Sequence, residues 1–137
     1  MMVDAQLWQE YSDPYFKFIR SPSCHQFAII TAWNPASQWQ SKQQNERNNR
    51  YLVQEFSHTY FVEVLVGDES FGWAEESFAV DIDELQALEL GRKYQQNAIY
   101  YVDGNELFLL SCLADGEKVS LGAVSYTHLR AHETIAN

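Results

Sequence analysis

The chain has 137 residues, 46% of them hydrophobic and 15% aromatic, with a formal net charge of −10. That length favours one domain around one core, and that apolar content excludes a disordered chain. A field of this sign repels nucleic acid, and no apolar run reaches the roughly 20 residues of a membrane span, so neither partner is expected.

Met1-Met2-Val3-Asp4 lacks the basic-then-apolar order of a secretory signal, which points to a cytoplasmic protein. Val3, Leu7, Trp8 and Tyr11 fall at helical spacing and predict an amphipathic helix over 4–12, closed by Asp13-Pro14. Tyr15 to Ile19 reads as a short edge strand. Phe27 to Trp33 is apolar on both faces, the pattern of a central strand covered on both sides, and Asn34-Pro35 stops it. A helix is expected over 39–57. Its one stripe holds Asn45 and Asn49 in the first half and Leu52, Val53 and Phe56 in the second.

Tyr60 to Val66 and Ser77 to Val80 are the next two strands. Asp81 with Glu84 reads as a capping box, and Val80 with Leu85 as its hydrophobic staple. The helix they open runs to Tyr94, with Ala87, Leu88, Leu90, Gly91 and Tyr94 facing inward. Glycine at Gly91 costs about 1 kcal/mol in a helix, which predicts a close approach of helix to sheet. Asn97 to Val102 and Glu106 to Leu110 form a hairpin around Asp103-Gly104-Asn105.

The single domain is expected to span 1–112. Residues 113–137 read as a tail, non-native or disordered, because Ser125 to Thr134 resembles translated sequencing-adapter read-through. The spacing of His128 and His132 is therefore not taken as a metal site. Cys24 and Cys112 lie far apart and read as two reduced thiols.

From Phe27 onward the order is strand, helix, strand, strand, helix, strand and hairpin strand. This is the α+β, ferredoxin-like split βαβ pattern of an antiparallel sheet, with an extra C-terminal hairpin strand and an N-terminal helix. In that topology the end of the first central strand, the following helix start and the loop between the next two strands share one end of the sheet. Thr31, Asn34, Asn45, Asn49, Trp73, Glu75, Glu76, Gln96 and Asn97 gather there. His25 and His58 fall at the opposite end. The apolar central strand needs cover on its second face, from the N-terminal helix or a second subunit, so homodimerisation stays open.

Phe27 to Pro35 (FAIITAWNP), Asn45 and Asn49 followed by Leu52, Tyr94 to Ala98 (YQQNA), and the hairpin from Val102-Asp103-Gly104 to near Cys112 carry a resemblance. They resemble a bacterial family, domain of unknown function 3293, over roughly residues 5–112. The resemblance implies a small intracellular bacterial protein and adds no catalytic assignment.

Asn, Gln and Thr side chains donate and accept without titrating. Thr31, Asn34, Asn45, Asn49, Trp73, Gln96 and Asn97 form the expected ligand set, suited to a small polar ligand or to protein backbone. The same asparagines could instead tie loops together, since buried amides need partners of some kind. Glu75 and Glu76, beside Trp73, are the acid/base candidates. No motif calls for a metal or a cofactor. Three functions stay open: a binding module, a small enzyme using Glu75 or Glu76, and a structural subunit of an oligomer.

Overall fold

The computed structural model describes residues 2–124 and has an α+β architecture. Its strands are β1 (Tyr15–Phe18), β2 (Gln26–Ile30), β3 (Phe61–Gly67), β4 (Ala74–Val80), β5 (Ala98–Asp103), β6 (Glu106–Ser111) and β7 (Lys118–Ala123). Its helices are α1 (Ala5–Tyr11), α2 (Lys42–Phe56) and α3 (Glu84–Lys93), with a 3-10 turn at Pro35–Ser37. The sheet order is β1-β3-β4-β2-β5-β6-β7, and every neighbouring pair is antiparallel.

Alternation along the strands builds two cores. Ala28, Ile30, Phe78, Val80, Ile99 and Tyr101 face the long helices, where Leu52, Phe56 and Ala87 cover them. Phe27, Ile29, Val62, Val64, Ala79 and Val102 face the other way. That second face is closed mainly by the sheet itself. Phe16 on β1 meets Tyr100 on β5 edge-on at 5.5 Å between centroids, although three strands separate β1 from β5. Phe18 meets Phe27 at 6.3 Å in the same way. The sheet therefore curls until its β1 edge packs over its own middle. This, rather than a full helical layer, is why a central strand can be apolar on both faces. The helix α1 has no buried residue and roofs only one end of the concave side.

Several expected boundaries move. β4 begins at Ala74, not Ser77, because its first half pairs with β3 through Val66 and Glu75. α2 begins at Lys42 after Ser41, whose hydroxyl accepts from the Gln44 amide. The capping box of α3 is Asp83 with Gln86 rather than Asp81 with Glu84. The Asp81 amide instead bonds the Tyr60 carbonyl, prolonging the strand exit, and Leu85 is left exposed. Gly91 is the close approach its cost predicts: a Cβ there would stand 2.6 Å from Cys112 Sγ and 3.0 Å from Ile99 Cγ2.

The sheet also runs past Cys112. β7 pairs with β6, and Val124 is buried in the concave core, so 118–124 belong to the same sheet. Most of β7 is exposed, with Val119 and Leu121 half-buried. The expectation for 125–137, including His128 and His132, lies outside the described residues.

Candidate functional site

The half-polar stripe of α2 has a local cause. Its positions Asn45, Asn49, Leu52 and Phe56 are all buried. The latter two meet the sheet, but the first two meet the loop that leaves β2, whose backbone groups have no strand partner. Asn49 Oδ1 accepts from the Ala32 amide at 2.9 Å, and Asn49 Nδ2 donates to the Glu76 carbonyl at 2.9 Å. Asn45 Oδ1 accepts from the Asn34 amide at 2.8 Å, while its Nδ2 donates to Asn34 Oδ1 at 3.1 Å and to the Gln40 carbonyl. Asn48 Nδ2 adds a bond to the Ala32 carbonyl. A buried backbone group without a partner costs about 1–3 kcal/mol, so these side chains do for the loop what a ladder does for a strand.

The loop they hold is strained. Asn34, Ala36 and Ser37 have φ of 45°, 56° and 60°, the left-handed region that L-residues avoid by about 1–2 kcal/mol each. Non-glycine residues persist there when their surroundings over-determine them, and such strain clusters at functional sites. The result of this geometry is the placement of the Asn34 amide: its Nδ2 donates to Glu75 Oε2 at 3.2 Å. Among the described residues this is the one hydrogen bond to the Glu75 carboxylate.

Glu75 lies in the wall of a cavity of about 890 Å³ on the concave side of the sheet. The volume falls in the range of roughly 300–1,000 Å³ typical of small-molecule sites. Ile29, Val66 and Leu109 give it an apolar floor, and residues 6–14 of the N-terminal segment cross its top. Tyr11 fastens that segment: its hydroxyl pairs with Ser37 Oγ at 2.9 Å, and its carbonyl accepts from Tyr100 OH at 2.6 Å. Asn97 Nδ2 donates to Ser37 Oγ at 2.8 Å, joining the start of β5 to the same knot.

Burial pushes the Glu75 carboxyl up from 4.5 to about 7, against the opposing pull of the Asn34 bond. Burial also pushes the Tyr100 phenol up, with Tyr11, Glu75 and Asp13 adding to the effect in that order. A carboxyl balanced near neutrality can hold or release a proton at working pH, the property general acid–base groups require. Trp33 also lines the cavity, and its Nε1 is the buried side-chain polar atom lacking a partner among the described residues.

Of the residues singled out in the sequence, Thr31, Asn34, Trp73, Glu75, Gln96 and Asn97 do line this cavity. Thr31 donates to the Glu76 carbonyl at 2.7 Å, and Gln96 Nε2 to the Trp33 carbonyl at 3.1 Å. Asn45, Asn49 and Glu76 do not line it. The two asparagines lie beneath the loop, and Glu76 is exposed on the opposite sheet face because adjacent strand residues alternate. The His25 carbonyl accepts from Gly104, at the far end. Tyr11, Ser37, Ser77 and Tyr100 went unmarked in the sequence. Glu75-x-Ser77 was the legible signal, a polar pair at strand period.

Among the described residues no three His, Cys, Asp or Glu side chains stand together as a metal site, and both cysteines are free. No helix there is long and apolar enough to cross a membrane. A family model described as "Protein of unknown function (DUF3293)" matches residues 30–99. That span holds Asn34, Glu75 and Asn97 but not Tyr11 or Tyr100. No curated protein and no solved structure matches the chain.

Proposed function

The chain belongs to the DUF3293 family, whose function is unknown, and from that premise we propose that it is a small-molecule-binding protein whose site is the concave cavity at Glu75. One observation carries the reading. A desolvated carboxyl sits in the wall of a cavity of ligand size, held by an asparagine whose own backbone is strained. Thr31, Trp73, Gln96 and Asn97 complete the wall, while Asn45 acts one step back as a positioning residue for Asn34, and Asn49 ties the end of β2 to β4.

The surrounding frame is read as a ferredoxin-like split βαβ unit. The inner order β3-β4-β2-β5 supports this, with α2 and α3 as the two crossovers. Every wall described comes from one chain. A cytoplasmic setting, with neither nucleic acid nor membrane as partner, fits the charge and is part of the proposal.

A thermal-shift screen of nucleotides, amides, amines and sugars against wild type and Glu75→Ala tests it. A ligand at about 100 times its Kd stabilises by about 2.7 kcal/mol, well within reach of the method. Hits that shift wild type and spare the variant support the site. Equal shifts in both proteins refute it.

A second reading, acid–base catalysis by Glu75, is favoured by its proton affinity near neutrality. Turnover of a bound ligand that disappears in Glu75→Gln while binding persists would establish it. Binding and turnover both unchanged would remove it.

A further inference from the structure

We propose that the ligand of this cavity is a small organic cation, an amine or guanidine on a flat apolar body, with its charged head at Glu75 and its body against the aromatic walls. The inference rests on the cavity being a binding site and names the class of ligand it takes.

The first observation is the sign of the lining. Glu10, Asp13, Asp68 and Glu75 come from three separate segments, and among the described residues no Lys, Arg or His lines the cavity. An anionic ligand would enter a partly desolvated space among carboxyls with no counter-charge, which is strongly unfavourable. The chain as a whole carries −10, a field that draws cations toward it.

The second observation is independent of charge: around Glu75 the polar side chains spend their donors on the protein's own carbonyls and hydroxyls and keep acceptors. Thr31 Oγ1 donates to the Glu76 carbonyl, Ser77 Oγ to the Glu75 carbonyl and Tyr100 OH to the Tyr11 carbonyl. Gln96 Nε2 is directed at the Trp33 and Tyr94 carbonyls, and Asn97 Nδ2 at Ser37 Oγ and Tyr11 OH. The Tyr11 and Ser37 hydroxyls pair with each other. Among the described residues the donors left are Trp33 Nε1, which is sealed from the surface, and Trp73 Nε1 with the Gln6 and Gln9 amides, which are exposed. Glu75 Oε1, Gln96 Oε1 and Asn97 Oδ1 accept no hydrogen bond among the described residues; the two amide oxygens can only accept, and so does the carboxylate once ionised. The complementary ligand is rich in N–H donors.

The third observation concerns the body of the ligand. A metal ion or ammonium alone would leave most of 890 Å³ empty. The aromatic side chains Tyr11, Trp33, Trp73 and Tyr100 line the space, and aromatic faces attract organic cations while covering an apolar frame. Trp73 is half exposed, which leaves part of its ring free for contact.

Three probes of one shape and different charge test the proposal: phenethylamine, 2-phenylethanol and phenylacetate, titrated at pH about 8 with amide and indole NMR shifts as the readout. The amine is expected to bind at least tenfold more tightly than the alcohol, with phenylacetate weakest. Glu75→Gln, which keeps the shape and the Asn34 bond, is expected to erase that tenfold preference; its NMR spectrum reports that it folds. Alcohol or acid binding as well as the amine, with shifts at Thr31, Trp73 and Asn97, overturns the cation class and leaves the cavity as the site. A preference unchanged in Glu75→Gln also overturns it. No shift at those residues with any probe overturns both readings.

Discussion

Replacing Glu75 by Gln should stabilise the protein, and the gain should depend on pH. The carboxyl has a folded pKa of about 7 against 4.5 for an ordinary Glu, with burial as the main cause. A carboxyl raised on folding stabilises the fold most while protonated. That contribution is full below about 4.5 and is lost as the pH rises through about 7. The gap corresponds to about 3 kcal/mol across the whole window. Below about pH 5.5 the chain nears its pI of about 4.6 and solubility falls. Between about pH 5.5 and 8.5, the advantage of Glu75→Gln over wild type should therefore grow by about 2 kcal/mol. With a urea slope near 2 kcal/mol/M, that is about 1 M in midpoint. The glutamine oxygen still accepts from Asn34 Nδ2, so the variant isolates the charge. A difference between variant and wild type that stays flat with pH, or a variant less stable at pH about 8.5, would show that the carboxyl is not desolvated and that the cavity is wet at that wall.

Two further predictions concern the frame. Asn49→Ala strips the Ala32 amide of its partner and leaves the Glu76 carbonyl with Thr31 Oγ1 alone, and should cost about 1–3 kcal/mol in urea unfolding. Because Asn49 does not line the cavity, ligand shifts should survive it. Gly91→Ala drives a methyl against Cys112 Sγ and Ile99 Cγ2 and should cost about 1–3 kcal/mol. Adding Cys112→Ala should return part of that loss, and strict additivity of the two changes would contradict the contact.

What could be read from the sequence was whatever depends on periodicity. Helical spacing placed Asn45, Asn49, Leu52 and Phe56 on one stripe, and all four are buried together. The cost of Gly91 foretold a close approach. The neighbours of Glu75 were less legible. Alternation says that Glu75 and Glu76 face opposite ways, but not which of them faces the hollow. That follows from the pairing of Glu75 with Val66 and from the direction of the curl. Tyr100 looked like one more strand aromatic until β1 was folded across it. The left-handed backbone at Ala36 and Ser37 has no signature in residue type, since alanine and serine do not advertise it. β7 does alternate, with Val119 and Leu121 half-buried between exposed Lys118, Ser120 and Gly122, but the adapter-like stretch from Ser125 drew the whole region after Cys112 into the tail.

The curl of the sheet has a kinetic consequence. Phe16 meets Tyr100, Tyr11 bonds Tyr100, and Asn34 bonds Glu75, so the cavity joins segments from nearly the whole described chain. Contacts of such long sequence separation are slow to form, because loop closure must precede the packing that rewards it. A partly folded chain with β3 and β4 paired but β1 not yet laid over β5 leaves the carboxyl in water, with an ordinary proton affinity. The proton uptake that accompanies burial of Glu75 thus reports, at neutral pH, when the sheet closes over the cavity.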